Sequence, residues 1–163
     1  MLKRFWPYLL VGLAVMAVLL SIGLWSNRGS QIRLNASVLK TRLVATEPNA
    51  AVAILEVRVE NPANYPFIPA EIEIAVLDGQ GAATPGMVVS EMDLDRVLSY
   101  YKDAGPRYNP TLKFKEKIPP RSTADRTVAA QFPLPEKTLA ARRGWRISIK
   151  DLDGAVVEIA EKR

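Results

Sequence analysis

The chain begins with a continuous apolar stretch and then changes to short segments in which apolar and polar residues alternate. A period of two is typical of β-strands with one buried side and one solvent-facing side. The clearest case is the segment from Ala51 to Glu60. Its apolar set is Ala53, Leu55, Val57 and Val59, and its charged set is Glu56, Arg58 and Glu60. This segment predicts a strand of an antiparallel sheet with its charged side in water.

Similar segments follow one another along the chain and are separated by turns rich in Pro, Gly and Asn. They cover residues 31–44, 51–60, 70–77, 82–89, 111–118, 125–132, 145–149 and 155–159. Seven or eight such strands predict a mainly β fold, an antiparallel β-sandwich of the immunoglobulin or fibronectin-III kind. The apolar parity shifts at Leu39, which predicts a β-bulge. Trp145 is expected at the centre of the core.

One segment breaks the alternation and predicts a short helix inserted between strands, at residues 90–104. Ser90 can cap its N-terminus, with Asp93 three residues later. Gly105 and Pro106 end it. Its apolar residues recur at helical spacing: Leu94, Val97, Leu98 and Tyr101. Residues 135–141 are expected to form a further turn or two of helix.

The apolar stretch from Phe5 to Trp25 contains 21 residues and no charged side chain. About 20 apolar residues cross the hydrocarbon core of a bilayer as a helix. Aromatic residues mark both ends, as in membrane-interface belts. They are Phe5, Trp6, Tyr8 and Trp25. The sequence predicts a basic tail at 1–4, a single transmembrane anchor at 5–25, a linker at 26–30 and a β-sandwich domain at 31–163.

Two features of the anchor leave alternatives open. A cleaved secretory signal has a shorter apolar region followed by a small-x-small site, and Ser21-Ile22-Gly23 is a weak candidate for such a site. Basic residues flank the stretch on both sides, so their number does not set the orientation. We expect an uncleaved signal-anchor with the domain on the extracytoplasmic side, periplasmic or outer.

The composition lowers the expectation of catalysis. The chain has no His and no Cys, which removes imidazole bases, thiol nucleophiles and the usual zinc ligands. Its net charge of +5 is spread over a mixed surface, which does not indicate nucleic-acid binding. Asp151-Leu152-Asp153-Gly154 is expected to form a hairpin turn rather than a Ca²⁺ site. We therefore expect no catalytic residues, no metal and no cofactor, although Ser/Lys or carboxylate chemistry is a weaker alternative.

Two sets of side chains are candidates for binding. The first follows the predicted helix and carries residue types enriched at protein interfaces: Tyr100, Tyr101, Arg107 and Tyr108. The second lies on one side of the predicted strand at 111–118 and could touch anionic headgroups: Lys113, Lys115 and Lys117. Lysines also protect the edge strands of sheets, so this second set has a purely structural alternative.

Three sequence segments resemble those of small immunoglobulin-like envelope modules. They are Leu55-Glu-Val-Arg-Val-Glu-Asn61-Pro62, Ile72-Glu-Ile-Ala-Val-Leu-Asp78-Gly-Gln-Gly81 and Ile118-Pro-Pro-Arg-Ser122. The pattern is similar to that of the late-embryogenesis-abundant/water-stress group and of FxLYD-type domains. The resemblance implies a binding or scaffolding module. The expected function is a non-catalytic interaction or assembly subunit in contact with the bilayer and a protein partner, and the alternative is a module for a lipid or small ligand.

Overall fold

The structure, a computed structural model, describes residues 6–27 and 34–162. The side chains of residues 6–11, 23–27 and 162 are not part of that description. The predicted tail at 1–4, Phe5 and linker residues 28–30 therefore lie outside the described residues, as do the side chains of Trp6, Tyr8 and Trp25. The chain divides into two units, an N-terminal helix and a β-domain, which are described separately.

The N-terminal unit is helix α1, which runs from Trp6 to Asn27. It starts one residue after the predicted anchor begins and ends two residues beyond it. The side chains of residues 12–22 are all exposed, and most of them are large and apolar. Within the described residues, no helix combines the length and the apolar character that a membrane crossing requires.

The β-domain is mainly β and antiparallel, as the alternation predicts. The strands are β1 Asn35–Glu47, β2 Ala50–Asn61, β3 Pro69–Leu77, β4 Ala83–Val88, β5 Ser122–Phe132, β6 Gly144–Asp151 and β7 Val156–Lys162. The helical elements are α2 Glu91–Tyr100, a 3₁₀ turn Lys102–Ala104 and α3 Glu136–Ala140. Hydrogen bonds connect the strands in the order β1-β2-β5-β4-β3-β6-β7. Among the described residues there are thus seven strands, within the predicted number.

Strand β4 joins two layers because it changes partner along its length. Residues 83–86 pair with β3, whereas Met87 and Val88 pair with β5. In a flat sheet β5 and β6 would lie about 14 Å apart, since two strands separate them. The rings of Phe132 in β5 and Trp145 in β6 are instead 5.5 Å apart. The sheet therefore folds over at β4 into two facing layers.

The main core lies between these layers. Trp145 is fully buried there, as predicted, together with Phe132 and Phe67. Gly86 allows the close approach at the fold of the sheet, because a Cβ on this residue would lie 2.6 Å from the Phe132 ring. The predicted bulge in β1 is also confirmed, since the pairing with β2 shifts between Val38 and Lys40. Leu39 is the extra residue.

The prediction of a strand at 111–118 is wrong. Among the described residues, its strand-like pairing is limited to two isolated bridges, Thr111 with Thr127 and Ile118 with Phe67. The chain turns between them, and Lys115 has a φ of 61°. The lysines at 113, 115 and 117 therefore do not share one side of a strand.

The prediction that Glu56 faces water is also wrong. Helix α2 and the 3₁₀ turn cover the outer side of the β1-β2-β5 layer and form a second apolar cluster there. Its buried members are Val44, Val52, Ile54, Leu94, Ala104 and Ala129. Glu56 has the same parity as Val52 and Ile54 and is also buried, beneath the loop that follows the 3₁₀ turn and contains Asn109.

Candidate functional site

Helix α2 begins as the sequence predicts, and its first turn forms one wall of a groove. The hydroxyl of Ser90 accepts a hydrogen bond from the Asp93 N–H at 3.2 Å and donates to the Asp93 carboxylate at 2.7 Å. This cap satisfies one of the free N–H groups of the first turn. Leu94 is fully buried in the second cluster and fixes the helix on the sheet. Glu91 is thereby held at the edge of the groove.

The groove opens between α2, the end of β4 and the stretch after Thr111. Its volume is about 260 Å³, and the walls are mostly apolar. They are formed by Ile72, Val88, Val89, Leu112, Phe114, Val128 and Ala129, with Ser90, Glu91, Thr111 and Lys113 adding polar groups. Several of these side chains belong to the main core. The groove is therefore an opening into the core, at the place where β4 stops and the two layers part.

Charged side chains form the rim of the groove. Lys113 Nζ lies 2.9 Å from one carboxylate oxygen of Glu91, and Arg107 Nη1 lies 3.1 Å from the other. Arg107 also lies 3.4 Å from Asp95 and donates to the Thr111 hydroxyl at 3.2 Å. The hydrogen bond from Lys113 is the main cause that lowers the pKa of Glu91, and the charges of Lys113 and Arg107 add to it. The charged side chains of the rim are thus paired with one another, and the ring of Phe114 is an exposed apolar group at the mouth of the groove.

A second polar cluster lies beneath the loop after α2. Arg42 donates to the Glu56 carboxylate at 2.7 Å and to the carbonyl oxygens of Ala104 and Pro106 at 2.7 and 2.8 Å. Asn109 and Thr127 donate to the other oxygen of Glu56 at 2.9 and 2.7 Å. The cluster ties this loop to β1, β2 and β5, and it maintains the position of Arg107 on the rim.

The four side chains of the predicted partner-binding set have different surroundings. Tyr100 is 80% exposed, with its ring centroid 4.8 Å from that of Tyr101. Tyr101 is half-buried, and its hydroxyl donates to the Thr46 carbonyl oxygen at 3.2 Å. The guanidinium carbon of Arg42 and the Nζ of Lys40 lie over the Tyr108 ring, 4.8 and 4.7 Å from its centroid. Of the four, only Arg107 reaches the groove, and partner binding by this set stays a prediction.

The groove itself was missed at the level of sequence. Of the predicted lysines, Lys113 belongs to its rim, whereas Lys115 and Lys117 are not among its lining residues. The signal that could have found it is Pro110, directly before the predicted strand at 111–118, because proline has no backbone N–H to donate to a strand ladder. Among the described residues, no group of three or more acidic side chains is placed to hold a metal ion.

Comparison with known proteins gives solved structures only, since no protein-family model and no curated protein sequence matches the chain. One similar structure is the putative ApaA protein from Bordetella pertussis, with 14% identity and a TM-score of 0.40 over 79% of this chain and 88% of that chain. Another is an uncharacterised β-sandwich protein from Clostridium difficile 630, with 10% identity and a TM-score of 0.38 over 80% of this chain and 86% of that chain. The resemblance to water-stress and FxLYD-type modules stays a prediction.

Proposed function

We propose that this chain is a non-catalytic interaction subunit of the cell envelope, anchored by its N-terminal stretch, and that the groove beside α2 receives one apolar side chain of a protein partner. The observation that carries the proposal is the groove itself, an apolar opening into the core with Phe114 at its mouth, 56% exposed.

The size of the groove favours a side chain over a whole small molecule. Small-molecule sites usually have about 300–1,000 Å³ and enclose most of their ligand. The groove has about 260 Å³ and is open on one side. Interfaces commonly place one large anchor side chain in a pocket of this kind, surrounded by a polar rim. The ion pairs of Glu91 with Lys113 and Arg107 supply such a rim.

Support for the membrane anchor comes from the amino-acid sequence. Residues 5–25 contain no charge and carry aromatic residues at both ends. The side chains of residues 12–22 are exposed, and an exposed apolar surface is unfavourable in water and favourable in lipid. We place the domain on the extracytoplasmic side, because a short basic tail followed directly by an apolar stretch is how a signal-anchor begins.

A photo-crosslinking experiment tests the groove. The full-length protein would carry a photoreactive phenylalanine analogue at position 114 in cells of the source organism. A matched variant would carry it at Met87, which is also apolar and exposed but does not line the groove. We expect a discrete protein adduct from position 114 that the second variant lacks. An equal adduct pattern from both positions, or none from 114, would contradict the proposal.

The apolar lining favours one second candidate, an acyl chain or another small apolar ligand. The groove reaches core residues such as Ile72 and Val128, so a ligand in it would contact the interior of the sandwich. Native mass spectrometry of the purified full-length protein separates the two candidates. A bound small apolar mass that Phe114→Asp removes would favour the ligand, and a protein adduct alone would favour the partner.

A further inference from the structure

The strand directions place one set of loops at the same end of the sandwich as the start of β1. Asn35 at the beginning of β1 pairs with Glu60 at the end of β2, and Ser122 at the beginning of β5 pairs with Asn61. Pro69 at the beginning of β3 pairs with Asp151 at the end of β6. We call this the N-terminal end of the sandwich. It consists of residues 34–35, 61–69, 115–122 and 151–155.

Hydrogen bonds hold the loops of the N-terminal end in fixed positions. The Asn61 amide donates to the carbonyl oxygens of Tyr65, Ile118 and Pro119 at 2.9, 3.2 and 3.1 Å. The Ile68 N–H donates to the Asp151 carboxylate at 2.7 Å, which connects this loop to the turn after β6. The surface they form is therefore built from several parts of the chain and is ordered before any contact with a partner.

The exposed side chains of this end combine positive charge with apolar groups. Lys115, Lys117 and Arg121 are exposed, and within the described residues neither lysine forms an ion pair. Arg121 donates to the neutral amide of Asn64 at 2.8 Å. Leu152 is 61% exposed at the tip of the β6–β7 turn, and Tyr65 is 39% exposed.

The acidic side chains of this end do not cancel that charge. Asp151 is buried and accepts the hydrogen bond from Ile68. Glu116 is paired with Arg126. This leaves two exposed carboxylates, Asp153 in the turn and Glu60 at the end of β2, against the three cations. A surface that offers three cations and an apolar tip is complementary to anionic headgroups above an acyl layer.

We propose that the N-terminal end of the sandwich binds the anionic lipid surface, with Lys115, Lys117 and Arg121 on the headgroups and Leu152 at the acyl boundary. This inference rests on the proposed membrane anchor. The chain from Asn27 to Leu34 has seven Cα–Cα steps and can reach at most about 25 Å. An anchored chain would therefore keep this end, and not the end with α3, next to the bilayer.

The absence of cysteine allows a test with one label per molecule. Leu152→Cys would carry an environment-sensitive fluorophore in the full-length protein, reconstituted into nanodiscs of phosphatidylcholine with or without phosphatidylglycerol. Nitroxide-labelled lipids would quench it on contact. The matched label is Thr138→Cys, exposed on α3 at the opposite end. We expect strong quenching at 152 in anionic discs, less in neutral discs and none at 138.

Charge variants then identify the basic side chains that make the contact with the lipid surface. Replacing Lys115, Lys117 and Arg121 by Gln should weaken the surface contact by about fivefold per residue near an anionic surface. The same change at Lys137, Arg143 and Arg146, which are exposed toward the other end, should leave quenching at 152 unchanged. Equal quenching in neutral and anionic discs, or equal loss in both triple variants, would overturn the inference.

Failure of the anchor has a separate signature. If the proposed anchor is wrong, the protein will not copurify with the nanodiscs at all, whatever their charge. Stable incorporation without quenching at position 152 would overturn the lipid contact and leave the anchor intact.

Discussion

Glu56 shows how a single carboxylate organises the side of the domain that carries the groove. Its two oxygens accept hydrogen bonds from Arg42, Asn109 and Thr127. Arg42 in turn holds the carbonyl oxygens of the loop after α2. A buried ion pair adds little net stability unless its other polar groups are satisfied. Here the hydrogen bonds satisfy both oxygens of Glu56 and engage both terminal nitrogens of Arg42, which holds the covering loop in one place, although the buried Nε of Arg42 has no partner among the described residues.

We predict that Glu56→Ala lowers the free energy of unfolding by about 3–5 kcal/mol, because it leaves the Arg42 charge buried without its partner. Chemical denaturation of the full-length protein in mild detergent measures this change. The control is Glu60→Ala, exposed on the same strand, which should change stability by less than about 0.5 kcal/mol. The double variant Arg42→Met with Glu56→Leu should recover most of the loss, and a double variant as unstable as Glu56→Ala would contradict this account.

The burial of Glu56 was only partly readable from the sequence. Local alternation correctly separated Leu55 and Val57, which face the main core, from Glu56 and Arg58 on the other side. The same parity also carries Val52 and Ile54, and this was the available sign that the outer side is covered. The cover comes from α2 over Val52 and Ile54 and, over Glu56, from the loop with Asn109, which lies 53 residues further along the chain. A long-range contact of that kind leaves no periodic signal.

At the scale of elements, α2 and the stretch after Thr111 show which sequence signals are sufficient to predict a helix or a strand. The cap and the spacing of Leu94 and Val97 are local and correctly predict the start of α2. The predicted helix at 90–104 is too long, because α2 ends at Tyr100 and Gly105 ends the 3₁₀ turn that follows.

A segment with the pattern of a strand additionally needs a neighbouring strand whose backbone N–H and C=O groups are free to pair with it. Within the described part of the chain, β4 pairs with β5 at Gln131 and Ala130. In the stretch after Pro110 only Thr111 forms a bridge to β5, whereas the Lys115 N–H donates to the Pro69 carbonyl oxygen. The alternation at 111–118 is therefore present in the sequence, but the stretch does not form the ladder of backbone hydrogen bonds that defines a strand.

Glu116 fastens this irregular stretch to β5 through Arg126, whose Nε donates to it at 2.9 Å. Partial burial works to raise the pKa of Glu116. The hydrogen bonds from Arg126 and from the Lys113 N–H, with the charge of Arg126, outweigh this effect and hold the pKa below its usual value near 4.5. A carboxylate with a lowered folded-state pKa stabilises the fold above its unfolded-state pKa, and this contribution is lost as the pH falls through the folded-state pKa.

We predict that the melting temperature of the wild type exceeds that of Glu116→Gln above about pH 5, and that the difference shrinks as the pH falls below about 4. Thermal unfolding followed at several pH values measures the difference. Glu158→Gln, on an exposed position of β7, serves as the control and should show no such trend. A gap between wild type and Glu116→Gln that persists unchanged to low pH would show that the charge of Glu116 is not its source.

At the scale of the whole molecule, the two layers share one core and one strand. Phe132 and Trp145 come from opposite layers, and β4 belongs to both. The number of strands and the antiparallel arrangement follow from alternation and turn residues. The strand order does not follow from them, because β4 pairs with β3 in one layer and with β5 in the other. β4 contains Pro85 and Gly86, two residues that are uncommon in strands, and the missing side chain of Gly86 allows the close approach to Phe132.

We predict that both layers unfold in a single cooperative transition, because neither retains its core without the other. The variant with Trp6 and Trp25 replaced by Phe leaves Trp145 as the one tryptophan of the chain. Its fluorescence and the β-sheet circular dichroism should give the same midpoint in urea. Further replacement of Trp145 by Phe is the control for the origin of the signal. Two separate midpoints would show that the layers are independent units.

The bulge at Leu39 has a consequence for how copies of this protein behave when they are concentrated. β1 is one of the two outermost strands, and a straight outermost strand offers its free N–H and C=O groups to any neighbour. The extra residue interrupts that row and increases the local twist. A second copy therefore finds no continuous row of free N–H and C=O groups to pair with, which limits the growth of fibrils even at high protein concentration.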